Sequence, residues 1–110
     1  MTTYRETMTF YEASGVAFAA TIEADESNPD AVVPTFTGGT AEVWSRSAGG
    51  TVLQGTATIT GAQEVTCSFA AFVLAPGVYT LEVLAAPPAT DLRVVGMYTA
   101  RVVDSIKPAP

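Results

Sequence analysis

Apolar and polar positions alternate along most of this chain, and the alternation predicts β-strands. The clearest case follows a turn at residues 75–77, where Pro76 presets the backbone dihedral and Gly77 accepts a positive φ. Beyond the turn, two sets of residues fall on opposite faces of one strand: Tyr79, Leu81 and Val83 against Val78, Thr80 and Glu82.

The same pattern recurs through the chain and predicts an all-β domain. Residues 13–15 predict a hairpin between the first two strands, and residues 48–50 predict one between the third and fourth. Turn signals at intervals of roughly 8–12 residues are typical of an immunoglobulin-like antiparallel β-sandwich, here of about seven or eight strands. Besides the strand that begins near residue 78, the predicted strands span residues 3–12, 16–23, 40–47, 51–60, 65–69 and 92–103.

The last predicted strand carries apolar residues on both faces. Its second face includes Val95 and Met97, so we expect this strand to be covered on both sides and take these two residues as interface candidates. One sandwich domain is predicted over residues 1–104. The prolines of residues 105–110 prevent a further strand and predict a tail.

An acidic, proline-containing segment at residues 24–36 predicts a long loop. Loops of this length in compact domains often bind partners, so Asp25, Glu26 and Asp30 are further interface candidates. With Glu23 they could supply oxygen ligands to Ca²⁺, but the segment lacks the loop pattern that curves around the ion. We favour a solvated loop and expect no metal.

Composition narrows the function classes. The 110 residues carry a net charge of −6, and the five basic residues are scattered, which argues against binding to nucleic acid or to anionic membranes. No signal peptide or intrachain disulfide is expected, so we expect folding in a cytoplasm. Only 15% of residues are charged. That deficit indicates either outer faces buried against neighbouring subunits or a genome biased towards Ala and Val.

Candidate chemistry is sparse, and we expect neither an enzyme nor a cofactor. The chain has no histidine, and Cys67 alternates with apolar neighbours, which predicts a buried, inert thiol. Glu6, Glu12 and Glu82 lie in no pattern that indicates a glycosidase cleft. Trp44 is interpreted as a partly exposed aromatic residue or a plug between the sheets, with structural packing favoured over sugar stacking.

Two stretches resemble immunoglobulin-like domains of tailed-phage virion proteins, including the N-terminal domain of baseplate upper proteins. The first is a strand, a glycine turn and a Gly-Thr-Ala-Thr-Ile strand within residues 37–59. The second is the Pro-Gly-Val-Tyr run of residues 74–83 followed by the strand at 96–103. The family contributes no catalytic residues, and its members more often have a short polar turn where this chain has the 24–36 loop.

The resemblance implies a non-enzymatic structural subunit of a phage-like virion, in the tail, the baseplate or the capsid decoration. Its partners would be other virion subunits, in a homo-oligomer or docked on the particle, and it would be made in the host cytoplasm. The alternative is a small carbohydrate-binding or adhesion module that uses Trp44 and nearby tyrosines.

Overall fold

The computed structural model describes residues 7–23 and 33–108. Within these residues, eight β-strands form two sheets, and a short 3₁₀ turn at Glu12–Ser14 follows the first strand. The strands are β1 (Met8–Tyr11), β2 (Val16–Thr21), β3 (Thr40–Ser47), β4 (Val52–Gln54), β5 (Thr56–Gly61), β6 (Glu64–Phe69), β7 (Gly77–Ala86) and β8 (Arg93–Val103).

The two sheets pack as an immunoglobulin-like sandwich, which confirms the predicted fold class. One sheet has the order β1-β8-β7-β3-β4 and the other the order β2-β6-β5. The second, sixth and fifth strands therefore share one sheet while the third, seventh and eighth share the other, as strands B, E, D and C, F, G do in immunoglobulin domains. The pairing is antiparallel except between β1 and β8, which are parallel.

The predicted hairpin between the first two strands is wrong, because β1 and β2 belong to different sheets. The 3₁₀ turn and Gly15, whose φ is 71°, redirect the chain from one sheet to the other. A Cβ atom on Gly15 would lie 2.6 Å from the carbonyl oxygen of Phe69, so glycine is needed both for the backbone angle and for the close approach. The predicted hairpin between β3 and β4 is confirmed.

The strand predicted at residues 51–60 is in fact two strands separated by Gly55. β4 pairs with β3 in the five-stranded sheet, whereas β5 pairs with β6 in the three-stranded sheet. At the crossing, the Gly55 N–H donates to the carbonyl oxygen of Val43 at 2.9 Å. A Cβ atom there would lie 2.5 Å from the Ser68 carbonyl oxygen and 2.9 Å from the Phe69 ring, so the crossing leaves no room for a side chain.

The core lies between the sheets and follows the predicted alternation. Tyr79, Leu81 and Val83 point inward from β7. The Tyr79 hydroxyl donates to the carbonyl oxygen of Ala75 at 2.6 Å, the tyrosine-corner bond of immunoglobulin-like sandwiches. Across the core, the rings of Phe18 and Tyr98 have centroids 5.1 Å apart. The largest fully buried side chains are Phe36, Leu81, Val16, Val43, Val65, Val83, Cys67 and Ser45.

A β-bulge in β8 changes which way Val95 faces. Val83 pairs with Gly96 and Leu84 with Val94, so one residue of β8 is left over between these pairs. Val95 is that residue, and its partly buried side chain packs against the core. The prediction that Val95 shares the second face of the strand with Met97 is therefore wrong, because the bulge shifts the alternation.

The chain after β8 forms no strand in its described part, residues 104–108. The start of this segment is bonded to the sandwich, since the Ala13 N–H donates to the Ser105 hydroxyl oxygen at 2.9 Å. Ile106 beyond it is fully exposed.

Candidate interaction surfaces

The outer side of the five-stranded sheet is the larger of the two outer sheet surfaces, and we call it the five-stranded face. The register of the strands brings its side chains together, and most of them are half-buried or exposed. It is defined by Thr9, Tyr11, Glu42, Trp44, Arg46, Val52, Gln54, Val78, Thr80, Glu82, Leu84, Val94, Met97, Thr99, Arg101 and Val103.

Charge is unevenly distributed along this face although it sums to zero. Glu42 lies beside Leu84 at one end, and Glu82 lies one register row further along, between Trp44 and Met97. The bases follow: Arg46 lies beside Thr80 in the next row, and Arg101 lies beside Val78 in the row after that. The face therefore runs from an acidic end to a basic end along the strand direction.

An open groove of about 130 Å³ lies near the middle of the five-stranded face. Trp44, Val52 and Met97 supply its apolar lining, and Arg46 and Glu82 supply its charges. The indole N–H of Trp44 donates to a carboxylate oxygen of Glu42 at 2.9 Å, which holds the ring in place. Trp44 is thus the partly exposed aromatic residue of the two alternatives, not the plug between the sheets.

The outer side of the three-stranded sheet is smaller and is built from short side chains. Its threonines are partly satisfied by one another: the hydroxyls of Thr60 and Thr66 are 2.9 Å apart, and Thr60 also donates to Glu64 at 3.0 Å. We call this surface the three-stranded face. It comprises Ala17, Ala19, Thr21, Thr56, Thr58, Thr60, Glu64, Thr66 and Ser68.

Cys67 is fully buried between the sheets, as predicted. Burial raises the pKa of its thiol to about 12, because the thiolate would lose its hydration in the apolar core. A thiol that is both inaccessible and protonated at neutral pH is a poor nucleophile.

The structure brings only part of the predicted site together. Met97 lies on the five-stranded face and lines its groove, whereas Val95 packs against the core. Asp25, Glu26 and Asp30 lie outside the described residues. Their role as partner contacts stays a prediction.

Sequence reasoning did not single out Arg46 or Glu82 as a pair. They are 36 positions apart in the chain, and they become neighbours only through the register that sets Trp44 opposite Glu82 and Arg46 opposite Thr80. The available signal was the alternation itself, which put Trp44 and Arg46 on one face of β3 and Glu82 on the polar face of β7.

Chemistry-bearing clusters are not found in the described part of the chain. Within residues 7–23 and 33–108, no three His, Cys, Asp or Glu residues are grouped so as to hold a metal ion. Glu12 lies in the 3₁₀ turn and Glu82 in the groove of the five-stranded face, and Glu6 lies outside the described residues. None of the described helical segments is long and apolar enough to cross a membrane.

No protein-family model matches this chain, and no curated protein is similar to it.

Proposed function

We propose that this chain is a non-enzymatic structural subunit of a phage-like virion, in its tail, baseplate or capsid decoration. The observation that carries the proposal is the character of the two outer faces. The five-stranded face combines equal numbers of acidic and basic residues with exposed Val52 and Val78. The three-stranded face consists almost wholly of threonine and alanine. A surface whose charges sum to zero can meet a partner without net repulsion, and a surface of threonine and alanine has few charges to desolvate, so both faces suit protein interfaces.

The resemblance to phage immunoglobulin-like domains supports the same proposal. The Pro-Gly-Val-Tyr run that carries it begins β7, and its Tyr79 donates a hydrogen bond to Ala75. Many immunoglobulin-like sandwiches share this tyrosine-corner bond, so the bond supports the type of domain. The proposal of a virion protein is supported by the resemblance of the longer stretches. The protein would be made in the host cytoplasm and carried in the particle.

Particle fractionation tests the proposal. Lysates that contain phage-like particles are sedimented through a density gradient, the particle band is washed with about 1 M NaCl, and the chain is quantified by mass spectrometry. We expect the chain to stay with the particles, because a stable subunit interface survives the screening of surface charge. Recovery of the whole pool in the unsedimented fraction would overturn the proposal.

The alternative of a carbohydrate-binding module is favoured by one observation, the half-exposed Trp44 in a groove that also holds Glu82 and Thr80. Aromatic faces beside polar groups suit sugar rings, which have an apolar face and a polar edge. Binding to an array of glycans that is lost in Trp44→Ala, from a protein absent from particles, would establish this function instead.

A further inference from the structure

We infer that two copies of this chain associate through the five-stranded face, in an antiparallel arrangement that sets Arg46 of each copy against the partner's Glu82. The inference deepens the proposed function, on which it rests for the expectation that an outer face is buried in an assembly.

Area distinguishes the two outer faces. Strands of 11, 10 and 8 residues with two short edge strands make up the larger sheet. At about 3.4 Å per residue and 4.8 Å between strands, its flat area is about 600 Å² per copy, or about 1,200 Å² for two copies, where stable interfaces begin. The other face has three strands of six residues. It offers about 300 Å² per copy on the same reckoning, and about 600 Å² for two copies is the size of a crystal-packing contact.

Charge also favours a second copy over an unrelated partner of strong charge. The chain carries a net charge of −6, but the five-stranded face pairs Glu42 and Glu82 with Arg46 and Arg101 and sums to zero. In the described residues, no ion pair occupies Arg46, Glu82 or Arg101. Two such faces can meet without net repulsion, whereas a strongly basic or acidic partner would gain nothing there.

The direction of the charge pattern sets the orientation. A two-fold axis parallel to the strands would place acidic end against acidic end. A two-fold axis perpendicular to the strands instead reverses the strand direction of the second copy. We place this axis between two register rows, that of Trp44 and Glu82 and that of Arg46 and Thr80. Arg46 then lies diagonally opposite the partner's Glu82, and the pair forms twice because the interface is self-complementary.

The groove places this pair among residue types that are common in interfaces. Trp44 and Met97 line the groove beside Arg46 and Glu82, and Trp, Met and Arg are among the residue types enriched in the central part of interfaces. Apolar side chains around a charge pair exclude water, which strengthens the attraction between the two charges. Truncating such central side chains also causes the largest losses of binding free energy.

Charge reversal tests the arrangement, measured by sedimentation velocity of the full chain from about 1 to 500 µM. The wild type is expected to be a reversible dimer. Arg46→Glu and Glu82→Arg are each expected to weaken association at least about 30-fold, the lower end of the loss when one member of an interfacial charge pair is removed. An equimolar mixture of the two variants should associate again, since one copy then carries two acids at these positions and the other two bases.

Matched controls separate this pairing from a general effect of charge. Lys107→Glu and Asp91→Arg make the same changes in net charge at exposed positions outside the face, and both should leave the dimer intact. Circular dichroism checks that every variant is folded. If a reversal prevents folding, Arg46→Gln and Glu82→Gln replace the pair of variants and should each weaken the dimer.

Three results would overturn the inference: a wild type that is monomeric throughout, single reversals that dimerise as the wild type does, or a mixture that stays monomeric. None of these depends on particle fractionation. If the chain sediments with particles and its association is unchanged by the Arg46 and Glu82 reversals, the proposed function stands and this interface is refuted. If the reversals weaken the dimer but the chain is absent from particles, this interface stands and the proposed function is refuted.

Discussion

Gly55 allows one continuous segment to serve both sheets, and replacing it with alanine tests that role. The added Cβ atom would lie 2.5 Å from the carbonyl oxygen of Ser68 and 2.9 Å from two carbons of the Phe69 ring. The first contact is with backbone inside the β5–β6 pairing, so a side-chain rotation cannot relieve it. We therefore expect a cost towards the upper end of the roughly 1–3 kcal/mol that overpacking causes.

A smaller effect on the unfolded chain opposes this cost. Alanine restricts the unfolded chain more than glycine does, which favours the folded state by about 0.4–1 kcal/mol where the backbone angles permit it. The net loss for Gly55→Ala should be about 2 kcal/mol, which lowers the melting temperature by roughly 8 °C or more in a domain of this size. The protein should remain folded, because domains are typically stable by about 5–15 kcal/mol.

Urea unfolding monitored by Trp44 fluorescence measures this free energy. Gly49→Ala is the matched control, since the nearest atom to its added Cβ would be the Ser47 hydroxyl oxygen at 3.8 Å. That variant should stay within about 0.5 kcal/mol of the wild type, as surface substitutions usually do. A Gly55→Ala protein as stable as the Gly49→Ala control would refute the account of the crossing.

Three further predictions concern the core and the five-stranded face. Cys67 is protonated when folded and ionises near pH 9 when unfolded, so its contribution to stability is complete below that pH and is lost as the pH rises towards 12. Relative to Cys67→Ala, the wild type should lose about 1.4 kcal/mol of unfolding free energy between pH 8 and pH 10. If the unfolding free energies of the two proteins depend on pH equally, the Cys67 thiol is not buried. Tyr79→Phe removes the 2.6 Å bond to Ala75 and should cost about 1 kcal/mol in urea unfolding; no loss would mean that this bond adds nothing to stability. Met97→Lys should weaken self-association with little change in melting temperature, whereas Val95→Lys should lower the melting temperature because Val95 packs against the core; the opposite pattern would reverse our assignment of faces.

The strands and their buried faces could be predicted from the sequence because both depend on local alternation. The bounds predicted for β3 are those observed, and the buried face of β7 holds the three residues expected there. The turn at residues 48–50 joins neighbouring strands, so local turn chemistry sufficed for that hairpin as well.

The incorrect structural predictions share one physical cause. The alternation of apolar and polar residues shows which face of a strand is buried, but not which other strand pairs with it. β1 pairs with β8 from the other end of the chain, and the threonine-rich run at residues 51–60 looks continuous although it changes sheet at Gly55. The bulge at Val95 depends on how β8 registers against β7. The proximity of Arg46 to Glu82 in one groove was hidden for the same reason, since register is a non-local property.

The central claim is that the five-stranded face is the working surface of this protein. Hydroxyl-radical footprinting of the wild-type chain tests it without any substitution, because Trp44 and Met97 lie in the groove and both side chains are readily oxidised. As the concentration rises from about 1 to 500 µM, we expect oxidation of both residues to fall several-fold while oxidation of the exposed Ile106 stays constant. Oxidation of Trp44 and Met97 that is unchanged at every concentration would contradict the claim.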